Sequence, residues 1–260
     1  MAQRVDFSQA AAKYDSRHGA FISDAAAAAL VRAASLARGG RVLDLAAGTG
    51  RVAIPLAACG CRVVALDLSR PMLDELAKKS GSIRIPRVIA VGERLPFANA
   101  SVDAVVIARL LYLVPDWQEL LSEVQRVLVP GGRLLHEWSN GEPDEEWVQI
   151  REHIRAMFER EGVANPFHPG VRTEEEAETF LREHRIIRTD EARLGSGHPM
   201  TLDTFMQRLV DGECSYTWAV EKDIVSRCLP ELDAWARARF DFTREIAMPR
   251  EIVWRVYRRD

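Results

Sequence analysis

Up to about residue 138, short apolar runs alternate with amphipathic stretches in a regular rhythm. Arg41–Ala46 reads as a strand, followed by a glycine turn and a helix through Ala58 that Gly60 stops. Arg62–Leu66 is the next strand. Ser69 is placed to cap a helix with Pro71 in its first turn, running to about Lys79. Val88–Val91 and Val102–Ala108 form a third and a fourth strand. Asp116 and Glu119 have capping-box spacing for the helix that follows, Pro130-Gly131-Gly132 ends it, and Arg133–Glu137 is a fifth strand. A strand followed by a helix, five times over, predicts a parallel sheet covered on both faces. Ahead of it, residues 8–37 are alanine-rich and predict one or two helices.

After Ser139 the rhythm breaks. Residues 144–161 predict an amphipathic helix with Trp147, Ile150, Ile154 and Phe158 on one stripe. Pro166 and Pro169 interrupt the chain, and Thr173 with Glu176 caps another helix. Arg185–Arg193 predicts a sixth strand, a mostly helical stretch runs to about residue 245, and Ile252–Tyr257 closes the chain as a strand. Twelve of the nineteen aromatic residues lie beyond residue 140, which assigns cofactor binding to the first part and pocket building to the second.

Composition narrows the partners. A length of 260 residues suits one large domain, or one with a modest insertion. The net charge of −3 leaves no basic footprint for nucleic acid. The run Ala25–Val31 is too short to span a bilayer, and the first residues lack the apolar core of a signal peptide, so a cytoplasmic location is expected. Cys59 and Cys61 are separated only by Gly60, too close for a zinc knuckle, and Cys214 and Cys228 have no cysteine neighbours; all four read as incidental thiols, with no metal site.

The chemistry concentrates in Asp44-Leu-Ala-Ala-Gly-Thr-Gly50, where a strand turns into a helix. Small residues there let a ligand approach the backbone, and the helix N-terminus offers free amides. Asp67 ends the second strand, where a carboxylate can accept both hydroxyls of a ribose. Gly48-x-Gly50-x-x-Ala53 with Asp67 downstream also spells a dinucleotide fingerprint. Asp44 separates the two readings: an anion at that strand end has no use beside a pyrophosphate, but it suits a cofactor carrying a free α-amino group.

Taken in order, these segments resemble the class I S-adenosylmethionine-dependent methyltransferases, in particular the small-molecule branch related to the ubiquinone and menaquinone biosynthesis enzymes. The resemblance is carried by Val42–Gly50, Val64–Ser69 with Pro71-Met72-Leu73, Gly92–Phe97, Ser101–Val105 and Leu128–Leu134, with Phe7, Tyr14 and Asp15 matching an N-terminal helix. It covers residues 5 to 138 firmly and the remainder loosely. It implies a Rossmann-like doubly wound sheet of seven strands, mostly parallel with an antiparallel last strand, plus a helical N-terminal extension and helical cap insertions. The cofactor-binding domain would comprise 1–138, 184–193 and 250–260, and the cap that binds the acceptor 139–183 and 194–249.

By that resemblance Asp44, Ala46, Ala47, Gly48, Thr49 and Gly50 hold the methionine part of S-adenosylmethionine, and Asp67 the ribose. Leu68 and Met72 flank the adenine, with Gly92, Glu93 and Arg94 near its edge, and Tyr14, Ala108 and Arg109 complete the cofactor set. Two positions depart from the family: Ala46 replaces the first loop glycine, and Val91 stands where an aspartate is common.

Several residues admit two readings. Asp67 either binds ribose or caps the helix beginning near Ser69. Arg109, following an apolar strand, either grips a carboxylate of cofactor or acceptor or pairs with an acid of the cap. His136 lies within a strand, where packing against a helix competes with a role as base. His18, His168, His184 and His198 are further candidate bases, His18 favoured by its place after the N-terminal helix. Tyr216 and Trp218 either face the acceptor or belong to a core. The function expected is methyl transfer to a small, apolar or aromatic metabolite, in which the protein aligns the acceptor and excludes water. A cofactor-binding protein without transfer and a nicotinamide-dependent oxidoreductase are the alternatives.

Overall fold

The apolar runs form the strands Arg41–Leu45 (β1), Arg62–Asp67 (β2), Arg87–Ile89 (β3), Val102–Ala108 (β4), Leu128–Asn140 (β5) and Ile186–Ser196 (β6). Met200–Thr201 (β7), Glu245–Ile246 (β8) and Glu251–Arg259 (β9) follow. The helices are Asp24–Ala33 (α1), Ala53–Ala58 (α2), Arg70–Ser80 (α3), Trp117–Val127 (α4), Glu145–Arg160 (α5), Glu174–Glu183 (α6), Leu202–Val210 (α7) and Lys222–Arg237 (α8). This computed structural model describes residues 14–15, 21–140, 144–163, 169–196, 200–214, 217, 220–246 and 251–260.

Seven strands make one sheet in the order β3-β2-β1-β4-β5-β9-β6. β1 pairs in parallel with β2 and β4, β2 with β3, and β4 with β5. The far edge reverses. The Asp260 amide donates to the Arg185 carbonyl and the Thr189 hydroxyl to the Val256 carbonyl, so residue numbers fall along β9 as they rise along β6. The result is the Rossmann-like, mostly parallel seven-stranded sheet with an antiparallel last strand. Strand order turns back between β1 and β4, which puts the switch-point crevice at their C-terminal ends.

By the two-residue period, Leu43 and Leu45 of β1 face one layer and Val42 and Asp44 the other. The first layer holds Val105, Ile107 and Leu134 of the sheet against Trp117, Leu120, Leu121 and Val124 of α4 and Ala177 and Leu181 of α6. The chain divides by contact into two compact units, and α6 belongs with the sheet: that unit comprises Asp6–Trp138, Gly170–Leu194 and Val253–Asp260. The other comprises Met1–Val5, Ser139–Pro169 and Gly195–Ile252. It has its own core, built from Ile150, Ile154 and Phe158 of α5, Phe205 and Leu209 of α7 and Leu232 of α8. Cys214 and Cys228 are buried there.

Local details depart from the sequence pattern in three places. Pro130-Gly131-Gly132 does not separate α4 from β5 but bulges inside the strand: Val102 pairs with Leu128, yet Ala104 pairs with Arg133. Gly131 has φ 76° and a Cβ on Gly132 would meet the Val129 carbonyl at 2.8 Å, so both glycines serve the bulge. Asp116 makes no side-chain cap bond, because its ψ of 45° is not the extended conformation from which a capping side chain reaches back. The two-residue strands β7 and β8 pair antiparallel where only helix was expected. Among the described residues no helix is long and apolar enough to cross a membrane, and no group of His, Cys, Asp and Glu could hold a metal.

Candidate active site

The loop after β1 is fixed by its own backbone and by β2. The Ala47 amide donates to the Leu66 carbonyl at 2.9 Å and the Gly50 amide to the Ala47 carbonyl at 2.9 Å. The Gly48 amide donates to Asp67 Oδ2 at 2.8 Å. Ala46 stands at φ 61°, left-handed despite its Cβ, in the place the resemblance gives to glycine. Gly50 is required twice over. Its φ is 86°, and a Cβ would lie 2.8 Å from Leu76 of α3 and 2.9 Å from Ile54 of α2. A Cβ on Gly48 would meet no atom of the described residues within 4 Å.

Two carboxylates flank the loop. Asp67 Oδ1 accepts the Ser69 amide at 2.8 Å, and the Leu68 amide also points to this carboxyl. Burial pushes Asp67 above the usual carboxylate range, against the opposing pull of the Ser69, Gly48 and Leu68 amides. The cap of α3 is Ser69 itself, whose Oγ accepts the Met72 amide at 3.4 Å. Asp44 is buried at 2% exposure, and burial pushes its carboxyl up to about 7, partly offset by the Arg51 charge and the Ala53 amide. Among the described residues its Oδ2 has no hydrogen-bond partner. A buried oxygen in that state is costly unless a ligand's donor answers it.

Arg51 and Glu137, which the sequence pattern did not single out, extend the cluster. Glu137 of β5 is enclosed and takes the Arg51 guanidinium on Oε2 and Arg109 Nε on Oε1, the latter at 3.1 Å. Arg109 therefore pairs with an acid of the sheet. Its φ of 56° turns the chain sharply at the end of β4. Burial works to lower its pKa, but Glu137, Tyr112 and Tyr14 outweigh that and hold it above its ordinary value. Tyr14 is half-buried beside this group, and Asp15 next to it accepts the Thr49 hydroxyl at 2.6 Å.

The base-contacting candidates divide. Leu68, just past β2, is 52% exposed, and Ile89 at the end of β3 is 56% exposed, whereas Met72 is buried. Gly92 is held close to α4, since a Cβ would lie 2.6 Å from Leu120. Glu93 is half-buried, Arg94 is exposed, and Ala108 is half-buried at the end of β4. His136 is buried, edge-on to Trp138 at 4.7 Å, and burial pushes it down to about 3, so its ring packs uncharged. His184 donates Nδ1–H to the Phe180 carbonyl at 2.8 Å and stacks on that ring, closing α6. His18, His168, His198, Tyr216 and Trp218 lie outside the described residues.

Comparison with known proteins gives the following. The methyltransferase domain family matches residues 43–136. A demethylmenaquinone methyltransferase from Clavibacter sepedonicus is 44% identical over 108 residues, which is 41% of this chain and 44% of that one. The chain thus spans less than half the length of this curated relative. A putative methyltransferase from Bacillus halodurans superposes with TM-score 0.62 at 17% identity, covering 90% of this chain and 98% of that one. A 4+2 cyclase superposes with TM-score 0.58 at 18% identity, covering 91% and 81%. Both likenesses are of fold.

Proposed function

Starting from a methyltransferase domain over residues 43–136, we propose that this chain transfers a methyl group from S-adenosylmethionine to a small, apolar or aromatic acceptor. The observation that carries the reading is the pair of carboxylates around the glycine loop, one of them with a buried oxygen, at Asp44, that is unanswered among the described residues. A ligand with an ammonium, a vicinal diol and a flat base fits this donor set. The ammonium would complete Asp44, and the diol would share the Asp67 carboxylate with the loop amides. Leu68 and Met72 would flank the base, with Gly92, Glu93 and Arg94 at its edge. Tyr14, Ala108 and Arg109 would close the opposite end, and Ala46 to Gly50 would lie along the amino-acid part.

When bound, this cofactor supplies a methyl group on a sulfonium, already activated for transfer. The chain's own work is then alignment and water exclusion. Arg109, held on Glu137 at the end of β4, is placed where open sheets bind ligands, and orients polar groups there. His136 and His184 are engaged in packing, which leaves His18, His168 and His198 as the remaining sequence candidates for a base, His18 favoured by its place after the N-terminal helix. The unit containing Ser139–Pro169 and Gly195–Ile252 would choose the acceptor. The menaquinone enzyme among the relatives makes quinols the first acceptors to try.

Incubation with labelled S-adenosylmethionine and a panel of quinols and phenols tests the proposal. Label in an extractable product, lost in Asp67→Ala, is expected. Binding of S-adenosylhomocysteine with no transfer to any acceptor would favour a different use of the same site. The nicotinamide alternative loses ground on topology, because beyond β5 the sheet holds β9 and β6, which run antiparallel to each other, and not a second parallel half.

A further inference from the structure

Thr49 is buried at 1% exposure, and its hydroxyl has one proton, which it gives to Asp15 Oδ1 at 2.6 Å. Lys79, in the last turn of α3, places Nζ 2.7 Å from Asp15 Oδ2 and 3.3 Å from Thr49 Oγ1. The three groups form a closed triangle in which each bond is charge-assisted or shares a charged partner. The same stretch of chain returns to the loop a second time. The Ile22 amide donates to the Arg51 carbonyl at 3.0 Å, and the Phe21 ring lies under the Lys79 ammonium at 4.7 Å. Thr49 and Arg51, on either side of Gly50, are therefore held from outside the sheet, by Asp15 through a side chain and by Ile22 through its backbone.

This matters because the loop's own hydrogen bonds, from Ala47 to β2, from Gly48 to Asp67 and from Gly50 back to Ala47, are made by backbone amides and leave the Thr49 side chain to be held from elsewhere. Ala46, Gly48 and Gly50 all sit at positive φ, and Gly48 is tied by its amide to Asp67. Loops of this kind open locally at small cost unless side chains pin them. We propose that Asp15 is a positioning residue for the glycine loop: by holding Thr49, with Lys79 balancing its charge, it sets the loop in its ligand-ready form, so that affinity for the cofactor depends on a residue outside the sheet. This rests on the methyltransferase reading for the identity of the ligand, but the hold on the loop does not.

Two measurements on the full chain separate these. Calorimetry with S-adenosylhomocysteine should show Asp15→Ala and Thr49→Val each weakening binding about tenfold, with the double variant no weaker than either. Asp15→Asn keeps an acceptor for Thr49 while losing the charge for Lys79, and should weaken binding by only about threefold. Hydrogen exchange on the protein without ligand should show the peptide over residues 46–52 exchanging faster in Asp15→Ala, with β4 unchanged. Affinities within twofold of the parent, additive losses, or unchanged exchange in that peptide would overturn the proposal. If the parent binds no S-adenosylhomocysteine, the cofactor reading fails, and the exchange experiment still decides the role of Asp15.

Discussion

Ala46 holds a left-handed φ of 61° that costs an alanine about 1 kcal/mol relative to glycine. Ala46→Gly removes that strain and adds freedom to the unfolded chain, so a net gain of up to about 1 kcal/mol in urea unfolding is expected. A loss would show that the Ala46 methyl packs productively. Asp44 makes the opposite trade. With its carboxyl pushed up to about 7 from 3.8, the folded chain keeps a proton that the unfolded chain has released between those values. Stability from this group is therefore greatest at the acid side of that window and falls as pH rises through it. Asp44→Asn should stabilise the chain more at pH ~8 than at pH ~5, by on the order of 2 kcal/mol in paired urea titrations. The same variant should bind S-adenosylhomocysteine more weakly, and the parent's affinity should rise with pH toward 8, because an ammonium partner requires the ionised carboxylate. Asp67→Ala removes the carboxylate that holds the Gly48 and Ser69 amides and that would receive the diol, and should cost about 2–4 kcal/mol of affinity by calorimetry. An unchanged dissociation constant in a folded variant would exclude Asp67 from the ligand.

At the scale of elements, the β1–loop–α2 unit was readable because everything it needs is local. The apolar run, the small residues and the helix that follows lie within eighteen positions, Arg41 to Ala58. Gly50 shows how tightly that unit closes. Gly50→Ala would force a Cβ against Leu76 and Ile54 at positive φ, and a loss of about 2–4 kcal/mol in unfolding free energy is expected. Ser69 was equally legible as a cap, since a capping hydroxyl and the amide it serves are three residues apart. Glu137 and Arg51 were not, because the pair is separated by 86 positions and neither residue type announces a partner. The β7–β8 pair escaped for a different reason: two residues are too few to show a strand period. The Pro130-Gly131-Gly132 bulge was misplaced because turn residues mark a break in regular backbone and do not say whether the strand resumes on the same ladder.

At the scale of the molecule, the sheet unit gathers every described candidate for the cofactor, and the helical unit has a separate core. That division suggests separable roles. Tyr216→Ala or Trp218→Ala should lower turnover or shift acceptor choice, with cofactor affinity within about threefold, under ~1 kcal/mol. A large loss of cofactor affinity in those variants would mean the roles are not separable. The central claim is that the glycine loop with Asp44 and Asp67 forms a site for S-adenosylmethionine and not for a dinucleotide. Calorimetric titration of the purified chain with S-adenosylhomocysteine and with NAD, side by side, tests it most directly. The account predicts saturable binding of S-adenosylhomocysteine, weakened in Asp44→Asn and Asp67→Ala, with NAD binding far more weakly. Tight binding of NAD with no response to S-adenosylhomocysteine would contradict it.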